Sequence, residues 1–124
     1  DDVDKIQRDG KITGEKWTPG RLRVNIAEIR DYIVKQDFKI TDHAFEEMNA
    51  DGLAFQDVIS GVMSGEIIEN YPKAYPLSAV LVNGKTKNGE PVHICISLPP
   101  LVKVITVYRP DPEKWIDDFR KRRL

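Results

Sequence analysis

Apolar residues recur at two periods along this chain, and the change of period after Gly65 separates helices from strands. From Val24 to about Gln36, Ile26, Ile29 and Ile33 fall at i, i+3 and i+7, the spacing of one buried helical stripe. A second helix is predicted from Thr41 or Asp42, either of which can cap it, to a stop at Gly52, burying Ala44, Phe45 and Met48. A third runs from about Ala54 to Ser64, with Phe55, Val58, Ile59 and Val62 on one face and Ser64-Gly65 as its C-terminal stop.

Beyond Gly65 the period is two. Glu66 to Asn70 reads as a short strand, and Tyr71-Pro72 and Tyr75-Pro76 mark an extended connection. Ala79–Thr86 and Glu90–Leu98 read as two strands joined across Lys87-Asn88-Gly89. Leu98-Pro99-Pro100 ends the second, because proline cannot donate to a ladder. Val102 to Tyr108 is a fourth strand. Asp111 then caps a last helix with Pro112 in its first turn, and Trp115, Ile116 and Phe119 form its inner face. The order predicts an α+β fold: N-terminal helices packed on a mainly antiparallel four-stranded sheet, with a closing C-terminal helix.

Residues 1–20 alternate charge with glycine and proline and hold few apolar residues, so 1–23 is expected to be a flexible arm or linker ahead of one domain, 24–124. Trp17 is its exception, an indole suited to anchoring on this domain or a partner. The chain does not begin with Met, so Asp1 is expected not to be the native start. A chain of 124 residues buries roughly two thirds of its extended surface, enough for a core without staples. No apolar run reaches the ~18 residues of a membrane span, and no signal-peptide pattern opens the chain. The lone Cys95 rules out an internal disulfide and favours a reducing compartment.

Net charge is −1, so nucleic-acid binding would need local basic patches rather than a global field. The candidates are Lys85 with Lys87, Lys103 with Arg109, and the closing Arg120-Lys121-Arg122-Arg123 run, which a helix C-terminus would equally favour.

The turn at Asn88-Gly89 admits two registers. A two-residue turn pairs Gly84 with His93 and turns Lys85 to the face opposite His93. A three-residue loop with Gly89 in the left-handed region pairs Asn83 with His93 and puts Lys85 and His93 on one face. Val92, Ile94, Ile96 and Leu98 form the core face of their strand; His93, Cys95 and Ser97 form a more polar face, open to a ligand or simply to water. Cys95 reads as a buried inert thiol, and two histidines and one cysteine without ligand spacing give no zinc signal.

Four patterns occur in order: Asp42-His43-Ala44-x-x-x-Met48, Gly65-Glu66-Ile67-Ile68-Glu69-x-Tyr71-Pro72, Gly84-Lys85-Thr86-x-x-Gly89 with His93, and Tyr108-x-Pro110-Asp111-Pro112-x-x-Trp115. Together they resemble the family catalogued as domain of unknown function 4258, over about residues 38–123, and that family is similar to bacterial toxin ribonucleases of the BrnT and RelE type. The resemblance implies a bacterial toxin-like RNA hydrolase that needs neither metal nor cofactor. It would act by general acid–base chemistry on RNA, free or on the ribosome. Its partner would be an antitoxin or immunity protein, and no membrane is involved. The expected site of action is the cytoplasm, whether as the toxin of a toxin–antitoxin pair or as the toxin end of a larger exported protein.

On that reading His43 and His93 are the base and acid, and Lys85 and Arg109 are phosphate cations supported by Lys87 and Lys103. Tyr108 or Tyr71 supplies a phenol. The bland alternatives are a backbone-bonded helix-start His43, a packed His93, and tyrosines at the core edge. Chains of this pattern commonly carry arginine where Glu47 stands. Glu46 and Glu47 therefore place two carboxylates beside the proposed phosphate site, which suits the alternative of a non-catalytic protein-binding module with the same fold.

Overall fold

The computed structural model describes residues 25–124. The arm expected over residues 1–23, with Trp17, lies outside them. Among the described residues three helices precede the main sheet strands: α1 (Ile26–Val34), α2 (Asp42–Ala50) and α3 (Phe55–Ser64). Each has a polar side chain accepting from a first-turn or cap N–H. The Asn25 side chain accepts from the Ala27 N–H at 2.9 Å, Thr41 Oγ1 accepts from the Ala44 N–H at 3.1 Å, and the Asp57 carboxylate reaches back to the Ala54 N–H at 2.9 Å.

The sheet has five strands, not four: β1 (Lys39–Ile40), β2 (Glu66–Tyr71), β3 (Ala79–Lys85), β4 (Pro91–Ser97) and β5 (Lys103–Tyr108), in the order β1-β5-β4-β3-β2. Strand β1 pairs parallel to β5 and the rest are antiparallel. Two residues between helices show no alternation, which is why β1 is invisible to periodicity.

Helices cover one sheet face. Ile29, Ile33, Ala44, Met48, Val58 and Val62 pack there on Val80, Val82, Val92, Ile94, Val104 and Val107. Phe45 and Phe55, expected on buried faces, are about half exposed, and Phe55 stacks on Phe38 with ring centroids 5.9 Å apart. Helix α3 lies directly on β3: a Cβ at Gly84 would sit 1.9 Å from the Gly61 carbonyl oxygen.

The β3–β4 register is Asn83↔His93 and Lys85↔Pro91. Gly89 takes φ +84°, and the Thr86 N–H donates to the Glu90 carbonyl at 2.7 Å. The loop is therefore the three-residue one, and Lys85 and His93 share a face.

That face is closed. His93, Cys95 and Ser97 are all fully buried, so the expectation that it could stay open to a ligand is overturned. Tyr71, Ala79, Leu81, Cys95 and Trp115 form a second core on it. The cover is the segment after Tyr108, which is not the predicted helix. It forms a strap with a small two-stranded sheet, β6 (Trp115–Ile116) and β7 (Lys121–Arg122). Asp117, Asp118 and Phe119 in its turn all have φ between +55° and +66°, a conformation no right-handed helix can continue. Trp115 is buried as expected, but Ile116 points out to solvent. Arg122 grips Glu69 with two bonds of 2.9 and 3.2 Å, and Arg120 meets Glu66 at 2.8 Å. Arg120 and Arg122 of the basic run are thus braces on β2, and the run is not the end of a helix. Among the described residues no helix is long and apolar enough to cross a membrane.

Candidate functional site

The outer edge of β5 decides where the site lies. Strand β1 covers only its first residues; the Thr41 N–H donates to the Val104 carbonyl at 3.0 Å, and α2 takes over from there. Thr41 Oγ1 donates to the Ile105 carbonyl at 3.2 Å, Glu47 Oε1 accepts the Val107 N–H at 3.0 Å, and Asp51 Oδ2 accepts the Arg109 N–H at 3.0 Å. Carboxylates one helical turn apart thereby satisfy an edge that would otherwise present bare donors. Glu47 is tied to the strand, and this is the physical reason for a carboxylate at that position.

Between this helix–strand seam and the strap lies a cleft of about 350 Å³. From α2 it receives His43 and Glu47, from the end of β5 Thr106, Tyr108 and Arg109, and from the strap Asp111, Lys114 and Trp115. His43 Nε2 is 3.4 Å from Glu47 Oε1, and its side chain is 50% exposed. A fixed carboxylate beside an accessible imidazole orients the ring. Arg109 is anchored: Nη1 donates to Glu90 at 2.8 Å and Nε to the Asp51 carbonyl at 2.9 Å. Thr106 is 2% exposed and its Oγ1 has no hydrogen-bond partner among the described residues. Such a group costs about 1–3 kcal/mol if nothing satisfies it.

Of the seven residues proposed from sequence, His43, Tyr108 and Arg109 meet in the cleft. His93 stands behind it. Its Nδ1 accepts from the Tyr108 hydroxyl at 3.1 Å, its Nε2–H donates to the Phe119 carbonyl at 2.9 Å, and Trp115 packs edge-on at 4.4 Å. Burial pushes its pKa down to about 4, so the ring is neutral at pH 7. Lys85 shares its face but reaches outward to Asp118 at 3.3 Å. Lys87 lies in the hairpin loop, where its N–H approaches Asp57 at 3.4 Å, and Lys103 begins β5 at the end far from Tyr108. Tyr71 is buried with its hydroxyl donating to Glu69, and burial raises its pKa.

The additions are Glu47, Lys114 and Thr106. Lys114 sits next to Trp115 in the closing motif, a signal present in the sequence; a threonine in a strand carries none. Among the described residues no cluster of His, Cys, Asp and Glu is arranged to hold a metal ion.

Fold and cleft together define a small α/β domain, helices on one sheet face and a strap on the other, with a polar site where helix, sheet edge and strap converge. A family profile described as domain of unknown function (DUF4258) matches residues 40–109, more than half of the chain, and the chain belongs to that family. The match runs from β1 through the seam of α2 and β5 to Arg109 and leaves the strap outside it. No curated protein and no solved structure matches the chain.

Proposed function

We propose that the chain is a metal-independent, RNA-cleaving domain of the RelE/BrnT kind, working from the cleft at His43. The observation that carries this reading is the His43–Glu47 pair at 3.4 Å, half open to solvent, in a cleft that also holds Lys114, Arg109 and Tyr108. His43 takes the proton from the RNA 2′-OH as that oxygen attacks phosphorus. The P–O5′ bond breaks, the Tyr108 hydroxyl turns from His93 Nδ1 to give its proton to the departing 5′-oxygen, and a 2′,3′-cyclic phosphate and a 5′-hydroxyl result. Solvent exchange resets both groups. Lys114 and Arg109 offset the charge on the phosphate. Glu47 accounts for its own presence as the orienting carboxylate.

A second reading is a partner-binding module on the same fold, with an antitoxin or immunity protein as partner. It draws support from the α1–α3 groove, where Val34, Phe55 and Met63 are exposed.

The test is incubation of the purified protein with RNA and with translating ribosomes, with product ends identified. Cleavage leaving cyclic phosphate ends, reduced about 10²–10⁴-fold in His43→Ala and unaffected by Lys103→Ala, supports the ribonuclease. Undiminished cleavage by His43→Ala removes the site. Absence of any cleavage, with a stable protein complex in its place, favours the binding module.

A further inference from the structure

Thr106 sits where no catalytic step needs it. It belongs to the strap-covered face of β5, cross-strand from Cys95, and lines the cleft with a buried hydroxyl that has no partner among the described residues. The adjacent wall is Trp115, held by the Arg122 guanidinium 4.9 Å from its ring centroid and by His93 edge-on at 4.4 Å. This wall is rigid and apolar. The remaining side carries Lys114, which makes no ion pair among the described residues. A volume of about 350 Å³ is at the low end for small-ligand sites.

A hydroxyl can both donate and accept, which is what a heterocycle's hydrogen-bonding edge requires, and single-stranded RNA is read by splaying one base onto an aromatic wall. We infer that the cleft is a single-nucleotide subsite: one unstacked base enters along Trp115, its polar edge bonds Thr106 Oγ1, and its phosphate faces Lys114. This rests on reading the cleft as an RNA site and adds what selects the cleaved position.

The stability of Thr106→Val separates this role from a structural one. Removing an unsatisfied buried hydroxyl leaves melting temperature unchanged or raised, whereas losing a structural hydrogen bond lowers it. The experiment titrates the full chain with each of the four 3′-nucleoside monophosphates and with inorganic phosphate, followed by amide chemical shifts. RNA cleavage is assayed in parallel.

The expected result has three parts. At least one nucleotide binds more tightly than phosphate. Thr106→Val weakens that nucleotide at least tenfold without lowering the melting temperature. Thr106→Ser, which keeps the hydroxyl, restores it. Equal affinity for nucleotides and phosphate, or affinity within twofold in Thr106→Val, overturns the inference. Thr106-dependent nucleotide binding without RNA cleavage keeps the subsite and removes the ribonuclease. Cleavage with the same rate and base preference in Thr106→Val removes the subsite and keeps the ribonuclease. Neither binding nor cleavage removes both.

Discussion

His93 shows how burial turns a titratable side chain into a structural one. Both its ring nitrogens are engaged and its pKa lies near 4. The unfolded chain protonates this residue near 6.5, so between about pH 6.5 and 4 the unfolded state binds the extra proton. The neutral ring's contribution to stability is present above pH 6.5 and is lost as pH falls towards 4, by about 3 kcal/mol in all. Chemical denaturation across that window should show the loss, and His93→Gln, which cannot titrate, should flatten it; an unchanged slope would show that other groups carry it. Glu47 makes the opposite case, since its charge is held next to an exposed partner. Glu47→Gln keeps an oxygen for the Val107 N–H, so the fold should stand. RNA cleavage should drop about tenfold or more, a share of the ~10²–10⁴ that acid–base assistance supplies in all. Cleavage at the wild-type rate would show that His43 does not need the carboxylate. His43 was legible from its place at the start of a capped helix. The burial of His93 was not, because alternation assigns a side chain to a face and says nothing of what covers that face.

At the scale of elements, the helices and four of the five sheet strands follow from period, caps and turn residues, and the Gly89 turn needed only its register decided. The strap did not follow. Asp111-Pro112 with apolar residues at 115, 116 and 119 satisfies the local rules for a helix. The chain instead turns through three left-handed residues so that Trp115 reaches His93 and Arg120 and Arg122 reach Glu66 and Glu69. The two arginine contacts cross more than fifty residues of sequence, a separation no window can read. The contact of α3 with β3 is equally non-local, and it gives the Gly84 of the hairpin motif its reason. Gly84→Ala would force a Cβ into the backbone of Gly61, which is not the movable tip of a side chain. Stability should fall by about 3 kcal/mol or more, at or above the upper end of the usual overpacking cost of ~1–3 kcal/mol. An unfolding midpoint like that of the wild type would show that helix and sheet can separate without loss.

Over the whole molecule the positive charges are dispersed, and this bears on how RNA could bind. Net charge is −1. Lys85, Arg109, Arg120 and Arg122 are matched to Asp118, Glu90, Glu66 and Glu69, and Lys103 stands at the other end of β5 from the cleft. The three arginines of the closing basic run are therefore engaged in holding the strap, Arg123 through the Pro112 carbonyl at 3.2 Å. Among the described residues, only Lys114 and Arg109 bring fixed positive charge to the cleft. Binding of a single strand should then neutralise about one or two phosphates, each contributing a slope of about −0.7 to log K against log salt, so the total should lie between about −0.7 and −1.4. Lys114→Ala should make the slope shallower by about 0.7, while Lys87→Ala and Lys103→Ala should leave it unchanged. A slope steeper than about −3 would require several more phosphates than the cleft can meet. It would mean that RNA lies along a surface built from the dispersed lysines and arginines, at the expense of the ion pairs that hold the strap. A slope measured in that shallow range, together with the buried Thr106 hydroxyl and the Trp115 wall, would mark a site that selects one nucleotide by shape and hydrogen bonding and leaves affinity for the rest of the strand to whatever presents it.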